Sequence, residues 1–178
     1  MVADKNRCEW VLLSYRIPRE PSTPRIAVWR KLKRLGVAQI GDGLAALPAD
    51  ARTLEQFEWL AEEIAEAGGA STLWRAELTS HAQERSVVGD MAAARAQEYA
   101  DIAERARKVA QVSIAATESM RMLRSLRREL RQVQRRDFFP PLERETARTE
   151  VATLARAVLD QDQDPTTTAE APELVVES

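Results

Sequence analysis

Residues 22–48 read STPRIAVWRKLKRLGVAQIGDGLAALP. Two kinds of local order meet here. From Pro24 to Leu35, Ile26, Val28, Trp29, Leu32 and Leu35 recur at helical spacing and predict one apolar side of a helix. Ser22-Thr23 offers an N-cap, Pro24 fits a first turn, and Gly36 is the natural C-cap. Two short apolar segments then flank Gly41-Asp42-Gly43. Glycine reaches the positive φ that tight turns demand, so this is a hairpin signal, and Pro48 closes its second strand.

The neighbouring segments extend the pattern on both sides. Upstream, Glu9–Pro18 (EWVLLSYRIP) is a short apolar and aromatic run ending in proline, which predicts a buried strand. Downstream, Thr53-Leu54-Glu55-Gln56 has the spacing of a capping box. The helix it opens would carry Leu54, Phe57, Leu60, Ala61 and Ile64 as its stripe, and Gly68-Gly69 would stop it. Residues 70–78 then predict a last strand. The order strand, helix, strand, strand, helix, strand is the split βαβ pattern, so the expected class is α+β, with a ferredoxin-like βαββαβ domain at 8–80.

A helical extension is expected over 84–160. Between Asp90 and Phe139 there is neither Gly nor Pro, and good helix formers dominate. Val109, Val112, Ala116, Ser119, Leu123, Leu126, Leu130 and Val133 alternate by three and four, which predicts an a/d seam. A break is possible across Ser113–Ser119, with Thr117 as a new cap. The last helix, about 141–160, would bury Leu142, Val151, Leu154, Ala155 and Val158. Residues 161–178 are acidic, threonine-rich and proline-bearing, and are expected to be disordered.

Charge is unevenly distributed. The net charge of -2 includes six acids and no base in residues 160–178, so 22 acids and all 26 bases lie before them. The body is therefore basic, which is compatible with a polyanion partner. Cys8 is the sole cysteine, so no internal disulfide is possible, and a reducing cytoplasm fits. Neither a signal peptide nor a membrane span is expected.

Two groups of cations are candidate nucleic-acid contacts. The first is Arg25, Arg30, Lys31, Lys33 and Arg34, which avoid the apolar stripe of their helix. The competing reading pairs them with Glu55, Glu58, Glu62, Glu63 and Glu66 on the next helix, each pair contributing little. The second group, between residues 121 and 136, sets seven arginines against Glu129. Arg121, Arg128 and Arg135 share one heptad position, and Arg124 and Arg131 the neighbouring one, forming a stripe opposite the seam. Arginine suits bidentate phosphate contact. The competing reading is a solvated helix back, with the acidic tail folded over it. No catalytic site, cofactor or metal is expected: His81 and Cys8 lack ligand or triad spacing, and no phosphate-binding glycine motif occurs. Trp29 and Trp59 are expected to pack rather than to face a partner, and Tyr15 to present its hydroxyl at the end of the first strand.

The run WVLLSYRIPREPSTPRIAVWRKLKRLGVAQIGDGLAALP resembles the N-terminal region of the chromate resistance regulator ChrB. Leu123–Phe139, with its Arg-Asp-Phe-Phe ending, is similar to the close of that region. The resemblance covers roughly residues 9–159. A more distant similarity, carried by Leu32, Gly36, Val37, Gly43, Leu44 and Pro48, is to the central domain of PaaX-type repressors, which in turn looks like small ferredoxin-like CRISPR endonucleases. The resemblance implies a bacterial cytoplasmic transcription regulator of a chromate-resistance operon. Dimeric DNA binding through the two basic helices agrees with it. Two alternatives stay open: an accessory subunit that dimerises and partners a separate ChrB C-terminal domain, and a module sensing the chromate oxyanion through clustered arginines. Against these relatives, neither the second ChrB domain nor a winged helix before Glu9 is expected, and the end of the first strand, Ser14-Tyr15-Arg16-Ile17-Pro18, carries no carboxylate.

Overall fold

The apolar run EWVLLSYR becomes the central strand β1 (Glu9–Arg16). In the computed structural model, which describes residues 8–112 and 115–163 (side chains through Asp160), β1 pairs antiparallel with β3 (Leu44–Pro48) and β4 (Ala70–Glu77). β2 (Ala38–Gly41) pairs antiparallel with β3 at the edge, giving the order β2-β3-β1-β4. Helix α1 (Ser22–Leu35) joins β1 to β2, and α2 (Ala51–Glu66) joins β3 to β4. The class is α+β, as expected.

Strand register divides the core. Val11 and Leu13 share one sheet face with Ala45, Leu47 and Leu73, whereas Trp10 and Leu12 share the other with Ala46 and Trp74. Val28 and Leu32 of α1 and Phe57, Leu60 and Ile64 of α2 join the same buried cluster. Trp10 is 2% exposed, its ring 6.0 Å from that of Phe139.

Helix entry differs from expectation at two places. The α1 N-cap is Pro21, extended at φ -70° and ψ 152°, with no side-chain cap bond; Ser22 and Thr23 are already helical. Proline's ring presets that extended entry, so no hydroxyl is needed to turn the chain. At α2 the cap is Asp50 rather than Thr53. The Asp50 carboxylate accepts the Thr53 N–H at 2.7 Å, and Thr53 Oγ1 accepts the Asp50 N–H at 3.0 Å. Thr53 therefore occupies the N3 position of a box that starts earlier. Its hydroxyl donates to the Pro48 carbonyl at 2.7 Å, which satisfies a fully buried group.

Two glycines hold the ends expected of them. Gly36 caps α1 in the left-handed region at φ 72°, its N–H reaching the Leu32 and Lys33 carbonyls. Gly43 also has φ 72°, and its carbonyl accepts the Tyr15 N–H at 2.7 Å. A Cβ on Gly43 would lie 2.3 Å from the Tyr15 carbonyl oxygen, so the hairpin turn closes on β1 only with glycine there.

Trp29 and Trp59 do not pack: they are 56% and 61% exposed. Successive residues turn by about 100° around a helix. The buried stripes Val28/Leu32 and Phe57/Leu60/Ile64 are narrow, so Trp29 falls one step off its stripe and Trp59 lies between members of its own.

The chain divides into two compact units. The first runs through Gln97 and includes Val133–Pro141; the second comprises Glu98–Gln132 and the chain from Leu142. Helices α3 (His81–Gln111) and α4 (Ala116–Arg135) each contribute to both, so the division falls inside each of these helices. The second unit buries Tyr99, Ile102 and Ala106 of α3 and Ser119, Leu123 and Leu126 of α4. From α5 (Glu143–Gln163) it buries Ala147, Val151, Leu154, Ala155 and Val158.

The long seam is interrupted. Val112 is 54% exposed just beyond the end of α3, and Thr117 lies in the first turn of α4 rather than at its cap. The run from Val112 to Ser119 concentrates β-branched and hydroxyl residues, which favour non-helical alternatives; residues 113–114 lie outside the described residues. Leu142 is 91% exposed, against expectation, because the Pro140-Pro141 pair delays α5 until Glu143. Helix α5 continues to Gln163, into the segment read as tail, and the remainder of that expectation, residues 164–178, lies outside the described residues.

Candidate nucleic-acid interface

On α1, burial of Val28 and Leu32 turns Arg25, Arg30, Lys33 and Arg34 to solvent. Lys31 is the exception: it is half-buried and pairs with Glu63 of α2. Pairing of α1 cations with the acids of α2 is thus confined to one contact among the described residues. Arg25, Arg30, Lys33 and Arg34 make no ion pair among those residues. Lys33 and Arg34 occupy the last turn, where the helix dipole favours cations. Lys33 Nζ also lies 5.7 Å from the centroid of the Trp29 ring.

On α4, burial of Ser119, Leu123, Leu126 and Val133 leaves Arg121, Arg124, Arg127, Arg128, Arg131 and Arg135 exposed. Arg121 is held by Glu118 at 2.6 Å, one turn away. Among the described residues Arg124, Arg127, Arg128, Arg131 and Arg135 make no ion pair. Arg121–Arg131 belong to the second unit, whereas Arg135 sits in the last turn of α4, counted with the first. Apart from Lys31, both cation groups are solvent-facing helix surfaces.

The family described as Protein ChrB, N-terminal, matches residues 25–164, well over half of the chain. The chain belongs to the ChrB N-terminal family. Neither a curated protein nor a solved structure matches it significantly. The family match runs from within α1 through α5, so it contains both cation groups, and membership points to a regulatory role in chromate resistance.

In this ChrB-family chain the acid of the arginine run is already engaged. Arg105 of α3 donates to both oxygens of Glu129, at 2.7 and 3.0 Å. That hydrogen bonding holds the Glu129 carboxyl below the usual range, opposed by partial burial and aided by the Arg105 charge, the Ser125 hydroxyl and Arg128. Glu129 is thus bonded by α3 rather than ion-paired with an arginine of α4. A carboxyl lowered in the folded state stabilises above its unfolded value and loses that contribution as pH falls through the folded one. Glu129→Gln should therefore lower stability at pH 7 by less than about 1 kcal/mol, since both side chains are about a third exposed or more. Urea melts of wild type and variant should converge at acid pH, once Glu129 is protonated in both states.

A second feature escaped the sequence analysis. The end of β1, the hairpin turn and α1 enclose a groove of about 780 Å³. It gathers Arg16 and Arg19 beside Arg25, Lys33, Tyr15 and Trp29. Arg16 and Arg19 flank Pro18, and nothing in linear spacing joins them to α1. The nearest available signal was the density of arginine around the two prolines of Ile17-Pro18-Arg19-Glu20-Pro21. The Cys8 thiol is pushed up by burial and by Glu84 and Glu9, which disfavours the reactive thiolate. Among the described residues there is no group of three or more His, Cys, Asp or Glu able to hold a metal. None of the described helices is long and apolar enough to cross a membrane.

Proposed function

We propose that this chain is a cytoplasmic, non-enzymatic, DNA-binding transcription regulator of a chromate-resistance operon, acting as a dimer. The observation that carries the reading is the freedom of the cations. Arg25, Arg30, Lys33 and Arg34 on α1, and Arg124, Arg128, Arg131 and Arg135 on α4, face solvent without an ion pair among the described residues, inside a region that belongs to the ChrB family. Each such cation that neutralises a phosphate releases counterions and adds salt-sensitive affinity. Lys31 and Arg121, engaged by Glu63 and Glu118, would contribute less. The first unit is taken as ferredoxin-like; in support, β3 separates β1 from β2 and β1 separates β3 from β4. Because Leu123 and Leu126 are buried within the single chain, the dimer would use another surface, and the exposed Trp59 and Trp74 are apolar material for one.

The test is a salt titration of binding to the duplex upstream of the gene, beside a scrambled duplex. Preference for the upstream site, with a log-log slope on the order of -4 or steeper, is expected. Equal weak binding to both, vanishing near physiological salt, would refute the regulator reading and favour the accessory subunit.

A further inference from the structure

The groove beside α1 does not have the character of a surface that merely rests against a duplex. Its cations, Arg16, Arg19, Arg25 and Lys33, come from three separate places: the end of β1, the loop after it, and α1. Asp42 is the acid in its lining. Among the described residues these four cations make no ion pair, so the groove holds a net positive charge facing a concavity. The same lining includes Trp29, which is more than half exposed, and Tyr15. The Gly43 turn sets the position of Tyr15 through the 2.7 Å bond to its N–H.

Cations alone would serve any phosphate, and aromatic rings alone any apolar group. A small inorganic oxyanion has no use for an indole face, and the volume of about 780 Å³ is that of an organic-ligand site. A paired base in a duplex presents its edge, not its face. The ligand chemistry that uses both features is a planar base carrying a phosphate, because aromatic side chains stack bases while arginine holds the backbone.

We infer that this groove binds an unpaired nucleotide, the base stacking on Trp29 and the phosphate held by the arginines. The inference rests on the nucleic-acid reading above and makes it specific to a nucleotide whose base is not paired. Two sources share that chemistry, a single strand and a free nucleotide.

The test uses the full chain and its tryptophan fluorescence. Wild type, Trp29→Ala, Arg19→Gln and, as a control, Trp59→Ala are titrated with three probes. These are a short single-stranded oligonucleotide, the same strand annealed to its complement, and a deoxynucleoside monophosphate; fluorescence anisotropy of labelled strands gives a second readout. Both tryptophans are exposed, so neither replacement should disturb folding, and circular dichroism checks this. The expected result is that the single strand binds more tightly than the duplex. Trp29→Ala should weaken it at least about tenfold, Arg19→Gln should weaken it too, and Trp59→Ala should leave it unchanged. Equal dependence of the mononucleotide on Trp29, without preference for the strand, would support the site with the free nucleotide as its source. Duplex binding with no preference for the single strand and no effect of Trp29→Ala would overturn the groove while leaving the regulator reading intact. Failure of both the single strand and the mononucleotide to bind would overturn the groove, while the regulator reading is decided separately by the titration on the upstream duplex.

Discussion

Simultaneous replacement of Arg124, Arg128 and Arg131 by glutamate is expected to weaken binding to the upstream duplex on the order of 100-fold or more at moderate salt. The log-log salt slope should flatten by about 3, since each lost phosphate contact removes about one unit. All three side chains are exposed and carry no ion pair among the described residues. The fold should therefore survive. Stability is expected to hold, because the Arg124/Arg128 repulsion at i,i+4 is only exchanged for one between two acids, whereas Arg127 gains an opposite charge at position 131 in place of a like one. The repulsion between the arginines is a standing cost to α4 within the chain, and a polyanion partner would offset it. Electrophoretic mobility or anisotropy across a salt series, with a melting curve of each variant, decides the matter. Unchanged affinity in a folded triple variant would remove α4 from the interface and leave α1 as its sole candidate.

Gly43→Ala should destabilise the first unit by on the order of 3 kcal/mol, because two effects add. A left-handed φ at a residue with a Cβ costs of order 1–3 kcal/mol, and the new methyl would meet the Tyr15 carbonyl oxygen at 2.3 Å. The oxygen belongs to the backbone of the central strand, so relief requires moving β1 or opening the hairpin. Gly41→Ala is the matched control: a Cβ there meets nothing within 4 Å, and the residue is exposed. Urea denaturation of the two variants should separate them clearly. Equal midpoints would mean that the turn relaxes without cost. The same substitution should also weaken single-strand binding, since the Gly43 turn positions Tyr15 in the groove.

What the sequence alone determined about this chain is its local order. Gly36 and Gly43 marked turns because only a residue without a Cβ enters the left-handed region cheaply. The 3.6-residue recurrence of Val28/Leu32 and Phe57/Leu60/Ile64 marked helices, whereas the capping box of α2 starts at Asp50, three residues before the Thr53 that the spacing suggests. The excess of cations on α1 and α4 was also legible, since charge and helical phase are linear properties. Tertiary structure decided which of those cations stay free. Lys31 is engaged because α2 brings Glu63 to it, and Glu129 is ion-paired because α3 brings Arg105. It also decided that Trp29 and Trp59 face solvent, since the width of a buried stripe depends on what packs against it. The groove that joins Arg16 and Arg19 to Trp29 and Lys33 exists only because the sheet carries the end of β1 and the hairpin turn to the side of α1, a proximity that no spacing along the chain encodes.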